Sequence, residues 1–315
     1  MEFCMFVERI KAEVERLAGT DYEVQLQEIL KNNGRLHVGL TVMKRGSKGA
    51  PIVYLEQYYA RRMAGELSIE TMAKEIYETA ASFDKPVLWG MKADKFEDVE
   101  GKIIYRLIDY KRNEKLLKDV PFVPYQDLAV VFCLLLGEDE SGLMSALIHR
   151  SHAEQWGTDA EALYQLADKN TPELFPSTVT PMEEIMKGLA GETEGNEGGE
   201  GKTECLPNEG AERNLLILTN RSGVYGASAI LYEGVLKNIA QRLGSDLVIL
   251  PSSVHEVILL PYEDERRMEG LERMVREINQ TVLPEEEVLS DQVYVYNRET
   301  DKVFRAREEE GEKVS

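Results

Sequence analysis

Two bends carry the residue types from which a site is built. In "ILPSSVHEVILLP" (residues 249–261), Ser252, Ser253, His255 and Glu256 cluster between two apolar runs. A nucleophilic serine needs a histidine within hydrogen-bond reach, a carboxylate to orient that histidine, and donors for the developing oxyanion. All three side-chain types are present. Triads are normally assembled from separated segments, however, and the G-x-S-x-G elbow is missing. Serines at a bend more commonly satisfy local backbone groups. Ser252, Ser253, His255 and Glu256 therefore stand as catalytic candidates of a hydrolase, second to a plain turn.

The other bend lies in "ILTNRSGVYGASA" (residues 217–229). A phosphate loop of the GxxxxGK[ST] kind needs a lysine and a hydroxyl after its last glycine, and this loop has Gly223-x-x-Gly226 with no lysine following. A dinucleotide turn needs GxGxxG opening directly into a helix, and an RNA-clamping GxxG sits between helices of a basic module. Neither context fits, because Val224, Tyr225 and Ile230 to Tyr232 read as extended and the chain is acidic. The pattern predicts a hairpin turn at Asn220-Arg221-Ser222-Gly223, with Gly223 at positive φ and residues 224–232 extended. The small residues on the returning strand mark a place of close packing. Asn220, Arg221, Ser222 and Gly223 are kept as binding candidates.

The remaining histidines offer less. His149 and His152 in "HRSHAEQ" have i, i+3 spacing, whereas the HExxH zinc arrangement uses i, i+4 on one continuous helix. A strand-to-helix junction is expected between them, so no metal is assigned. His37 reads as a solvated strand residue. Cys4, Cys133 and Cys205 make an odd count without CxxC spacing, which speaks against both a disulfide framework and a zinc site. In a chain this acidic, paired carboxylates read as solvated faces. No cofactor is implied.

The elements that must position these bends follow from periodicity. "MEFCMFVERIKAEVERLAG" places Phe3, Phe6, Val7, Ile10, Val14 and Leu17 at helical spacing and ends at Gly19, an amphipathic helix and not a signal peptide. Asn33-Gly34 separates two alternating segments, a hairpin signal that sets Leu36, Val38, Leu40 and Val42 on one face and His37 with Thr41 on the other. "PIVYLE" reads as a third strand. "SIETMAKEIYETAAS" reads as a helix capped by Ser68. "KIIYRLIDY" and "DLAVVFCLLLG" are strands, the second buried on both faces, with a short helix in "RNEKLLKDVP" between them. "SALIHRSHAEQWG" is a strand and a helix capped at Ser151, and Thr158 caps the next helix. Further on come the strand "NLLILTN", a helix with Leu236, Ile239, Ala240 and Leu243 inward, and the strands "DLVILP" and "EVILLP". The chain then continues in a helix with Met268, Leu271, Met274, Val275, Ile278 and Val282 inward, and closes in the hairpin "QVYVYNRETDKVFRA".

The whole is expected to be α+β: a two-part chain of antiparallel sheets built from hairpins, with helices packed on them. A length of 315 residues exceeds the roughly 250–300 at which one core stops growing. The expected parts are residues 1–95 and 96–307. The second is interrupted at about 188–212 by a Gly- and Glu-rich stretch that cannot offset its chain entropy, and residues 308–315 form an acidic tail. With 57 acidic against 37 basic side chains, the formal charge of -20 repels nucleic-acid phosphates and anionic lipid. The longest apolar run is about half of the roughly 20 residues that cross a bilayer. Neither nucleic acid nor membrane is expected as a partner, and the cytoplasm is the expected compartment.

The segments "VPYQDLAVVFCLLL", "HAEQWG", "NRSGVYGASAILYEGVLKNIAQRLGSDLVILPSSVHEVILLP" and "EEVLSDQVYVY" together resemble a large uncharacterised family of bacterial proteins, a domain-of-unknown-function family common in anaerobic gut bacteria. The likeness spans nearly the whole chain except the low-complexity insertion. It implies cytoplasmic α+β proteins with no established activity, cofactor or catalytic residues. The expected function is a non-enzymatic cytoplasmic protein that binds an unknown protein or small molecule. The alternative is a hydrolase using Ser252 or Ser253 with His255 and an acidic residue.

Overall fold

The structure is a computed structural model describing residues 2–46, 50, 52–81, 95–139, 142–191, 215–263 and 268–306. It divides into two units, Met1–Asp98 and Val99–Ser315. In the first, the apolar stripe folds into α1 (Phe3–Ala18), which buries Phe6, Val7, Ile10 and Val14 and ends at Gly19, φ 64°. β1 (Tyr22–Leu30) and β2 (Leu36–Lys44) pair in the register Leu30 opposite Leu36. Asn33 (φ 57°) and Gly34 (φ 73°) turn the chain between them. β3 (Ile52–Tyr54) adds to β2, and α2 (Leu55–Met63) and α3 (Ile69–Ala81) follow. Ser68 Oγ accepts from Thr71 N at 3.2 Å, as a cap should. Phe6, Ile10, Leu40, Leu55, Met72 and Ile76 fill the core, each contributing about 1.5–3 kcal/mol.

The second face of β2 is not a solvated one. Thr41 is buried, and His37 lies with Nδ1 3.3 Å from Glu56 Oε2 and its ring edge-on to Tyr54. The cause is α2, which leaves β3 without a loop and so carries Glu56 back against β2, where its Oε1 also accepts from Val38 N at 2.7 Å.

In the second unit "KIIYRLIDY" forms β4 (Ile103–Asp109) and the apolar run forms β6 (Leu128–Asp139), paired from Ile103–Leu134 to Asp109–Leu128. β5 (Phe122–Tyr125) and β7 (Gly142–Leu147) share the other edge of β6. Residues 128–134 are all buried, as an uninterrupted apolar strand requires. The other sheet runs β13-β12-β10-β11-β9-β8, with β8 Ser177–Pro181, β9 Leu216–Asn220, β10 Leu247–Pro251, β11 Val257–Pro261, β12 Tyr294–Asn297 and β13 Lys302–Arg305. The helices are α4 (Glu114–Leu117), α5 (Arg150–Trp156), α6 (Ala160–Leu174), α7 (Met182–Gly191), α8 (Val235–Leu243) and α9 (Met268–Thr281). Among the described residues every ladder is antiparallel, and the class is α+β.

Several local expectations are corrected. Residues 224–232 are not a returning strand. The chain leaves β9 through Gly223 (φ 68°) and Tyr225 (φ 52°) into a 3-10 segment, Gly226–Leu231, and then α8 and β10. Because β9 and β10 are both antiparallel to β11, they run parallel to one another, and their link is a crossover instead of a hairpin. The reason is spatial. A Cβ on Gly226 would lie 2.5 Å from His255 O and 2.7 Å from Asn220 N, so the chain is drawn tight against its neighbours. Gly226, Ala227, Ser228, Ala229 and Ile230 are all buried, which a one-faced strand does not allow.

Helix starts also shift by a residue or two. α5 is capped by His149, not Ser151, with His149 N donating to His152 Nδ1 at 3.1 Å. α6 is capped by Asp159 Oδ1, which accepts from Ala162 N at 2.9 Å; its negative charge suits the helix start better than the Thr158 hydroxyl. In α9, Met274 and Ile278 are 39% exposed, and Val282, just past the helix end, 70%. Inward-facing Asn279 fixes the helix rotation by donating to Ser290 O at 2.9 Å and Asp291 Oδ1 at 2.7 Å. The insertion expected at about 188–212 lies outside the described residues, apart from the end of α7, and so does the tail at 308–315.

A carboxylate network ties the ends of β4 and β12 together. Asp127 accepts from Tyr294 OH and from Ser290 Oγ, both at 2.7 Å, while Asp109 Oδ1 accepts from Arg112 N and Asp291 Oδ2 from Arg112 Nη2, again at 2.7 Å. Burial pushes the Asp109 carboxyl above its ordinary value, Asp127 and Asp291 add to the rise, and Arg112 opposes it. Since its folded-state pKa exceeds the unfolded one, the folded chain takes up more protons as pH falls toward the carboxylate range. Wild type should therefore gain stability relative to Asp109→Asn between pH 7 and about pH 4.5. Urea midpoints of the two proteins at both pH values check this; a gap that stays constant or moves the other way contradicts it.

Candidate functional site

The crossover geometry puts the loop after β9 and the bend between β10 and β11 at the same end of the sheet, since both follow the C-terminal ends of parallel strands. They touch. Tyr225 N donates to His255 Nδ1 at 3.2 Å, Thr219 Oγ1 to His255 O at 2.8 Å, and Ala227 N to Val254 O at 3.3 Å. The Tyr225 and His255 rings stack with centroids 5.8 Å apart.

Within the first loop the candidates bond to each other. Asn220 is buried, its Nδ2 donates to Val224 O at 3.0 Å, and its Oδ1 accepts from Ser222 Oγ at 2.9 Å. Ser222 Oγ accepts from Val224 N at 3.2 Å, Gly223 N donates to Asn220 O at 3.0 Å, and Arg221 N to Pro176 O at 2.9 Å. A phosphate cradle needs several backbone N–H groups aimed outward. Here those of Arg221, Gly223, Val224, Tyr225 and Ala227 all have acceptors inside the protein.

The second bend is arranged likewise. Ser253 is buried, its Oγ accepts from His255 N at 3.0 Å, and its N donates to Glu256 O at 3.1 Å. Val254 N donates to Glu287 O at 2.8 Å, while Ser252 and Glu256 remain half-exposed beside it. Among the described residues no hydrogen bond joins a Ser252 or Ser253 hydroxyl to the His255 ring. A triad histidine donates from Nδ1 to a carboxylate and takes the serine proton at Nε2. His255 Nδ1 instead accepts a backbone N–H, which places the proton of the neutral ring on Nε2.

Beside the joined bends lies a crevice of about 10 Å³, room for one water-sized atom, lined by Ile104, Arg106, Cys133, Phe175, Asn220 and Tyr225 among others. Arg106 is its charged member. The guanidinium carbon lies 4.6 Å from the Tyr225 ring centroid, over the ring face, a cation–π contact. Its Nε is buried without a hydrogen-bond partner. Among the described residues no carboxylate forms an ion pair with it. Burial pushes the neighbouring Cys133 thiol up, Arg106 opposing, so the sulfur stays protonated and is a poor nucleophile. Neither Arg106 nor Tyr225 was singled out by sequence. The available signal was one charged residue inside the apolar run "KIIYRLIDY".

Away from this site, His149 Nδ1 lies 2.6 Å from Asp119 Oδ2 and the His152 ring stacks on Trp156. Both ring Nδ1 atoms are thus committed. Among the described residues no group of three His, Cys, Asp or Glu is placed to hold a metal ion. A wider opening of about 370 Å³, at the far end of β10, is lined by Asp246, Tyr262, Asn297 and Arg298. Asp246 there is already engaged by Asn297 Nδ2 and Arg298 N, both at 3.1 Å. No helix of the described residues is long and apolar enough to cross a membrane.

A family model described as a family of unknown function, DUF5688, matches residues 3–298. No curated protein and no solved structure matches the chain.

Removing the hydroxyl of Ser253 leaves the His255 amide without its acceptor. Ser253→Ala should lower folding stability by about 1 kcal/mol, read from urea denaturation. An unchanged midpoint would mean the hydroxyl does not hold the bend.

Proposed function

The chain belongs to the DUF5688 family of unknown function, and we propose that it is a non-enzymatic cytoplasmic protein that binds a small molecule at the crevice beside Arg106. The observation that carries the reading is the division of labour between polar groups. Asn220, Ser222, Ser253 and His255 Nδ1 are engaged as backbone caps and turn bonds, while the guanidinium next to them has one unpartnered N–H and, among the described residues, no carboxylate. A hydrolase needs the opposite allocation, with serine and histidine free for substrate and bonded to one another. Ligand sites combine apolar walls with a few convergent polar groups, which matches the lining of Ile104, Phe175 and Val224 around Arg106, Ser145 and Asn220.

The test has two arms. A thermal-shift screen of small molecules of all charge types should find a compound that stabilises the wild-type protein saturably. A panel of ester, peptide and phosphate substrates should show no turnover that depends on Ser253 or His255. Turnover that disappears in folded Ser253→Ala and His255→Ala variants would replace this reading with the hydrolase; a screen without any saturable stabiliser would remove it.

A further inference from the structure

We infer that the crevice is a carboxylate site: Arg106 receives the carboxylate of a small apolar acid, and Tyr225 is the cover of the slot. The inference rests on the binding reading above and names the ligand class.

Three independent features converge. The first is an uncompensated charge. A buried or half-buried arginine is ordinarily paired, and this chain has 57 acidic residues from which to supply a partner. None of those described does so, and Nε is sealed from solvent without any acceptor. The second is shape. The guanidinium carbon lies over the Tyr225 ring, 4.6 Å from its centroid, and the Nε–H on the guanidinium edge is the donor left without an acceptor. In-plane N–H donors match the two coplanar oxygens of a carboxylate. The void, about 10 Å³ with Tyr225 in place, admits one carboxylate oxygen, so the rest of the acid enters only with that ring displaced; its other walls are largely apolar, with Ile104, Leu143, Phe175 and Val224. A tetrahedral phosphate brings more charge and more acceptors than these walls can meet; a carboxylate on a short hydrocarbon body matches both parts of the lining. The third is backbone conformation. Tyr225 sits at φ 52°, ψ 29°, the left-handed region that aromatic residues rarely occupy. Strain of this kind collects at ligand clamps and switches. Here the left-handed residue carries the ring that contacts both Arg106 and His255.

The protein as purified, free of carboxylate buffers, should be titrated with acetate, butyrate and benzoate, with the corresponding amides, and with inorganic phosphate. Calorimetry and thermal shift report binding, and the Arg106 Nε–Hε resonance, identified by its absence in Arg106→Met, reports the contact. A carboxylate should bind saturably, move that resonance and slow its exchange with water, while its amide binds at least tenfold more weakly. Arg106→Met should lose at least tenfold in affinity while remaining folded, because among the described residues it strands no buried carboxylate and gives up only the contact with the Tyr225 ring. Arg106→Lys, which keeps the charge but not the planar edge, should recover little. Phosphate binding in place of carboxylate, or carboxylate binding unaltered in Arg106→Met, would overturn the inference. So would saturable binding of only neutral or cationic compounds at the crevice, although the binding reading itself would survive that result. The absence of any ligand would remove both.

Discussion

The arrangement depends on how the open edge of β4 is closed. β4 pairs with β6 on one side only, so the amides of its other edge need acceptors from elsewhere, and an unpaired buried N–H costs about 1–3 kcal/mol. Two hydroxyls supply them. Tyr105 N donates to Thr171 Oγ1 at 3.1 Å and Leu107 N to Ser228 Oγ at 3.0 Å, both bonds buried. Asn170 Nδ2 adds a bond to Ile103 O at 3.0 Å from the same turn of α6 as Thr171. A helix and a 3-10 segment thus close the edge that a further strand would otherwise occupy.

That closure dictates the loop after β9. For Ser228 to reach Leu107, the chain must pass close to the β10–β11 bend, and only glycine fits at 226 against Thr219 Oγ1, His255 O and Asn220 N. The same passage forces Tyr225 into the left-handed region and lays its ring over Arg106, the residue between the two amides that are closed off. Side chains alternate along a strand, so Arg106 lies on the face opposite the Tyr105 and Leu107 side chains, where it lines the crevice with Cys133. Edge closure, loop conformation and the place of Arg106 beside Tyr225 are therefore one constraint seen at three places.

How much of this was legible in the sequence follows the range of the interactions. α1, the Asn33-Gly34 hairpin, the doubly buried β6 and the positive φ of Gly223 are set by neighbours in the chain, and periodicity or turn chemistry finds them. Residues 224–232 misled because their small side chains serve close packing against His255 and β4, contacts that lie 30 and about 120 residues away, and no alternation records them. His37 misled for the same reason, since Glu56 reaches it only after α2 has turned back. The serines, histidine and asparagine of the two bends were visible as types, and the close packing of "YGASA" was expected. That Ser253 caps a backbone amide and that Arg106 Nε is buried without an acceptor are facts of three dimensions.

Hydrogen exchange at the Leu107 amide tests this account most directly. In the wild-type protein it should exchange only with global unfolding, although Leu107 lies on a strand edge with no strand beside it. In Ser228→Ala its exchange should accelerate selectively, well beyond the change at amides of β6, such as Val130, that report overall stability. An equal acceleration at both, or none at either, would contradict the claim that this one hydroxyl closes the edge and sets the position of the loop that covers Arg106.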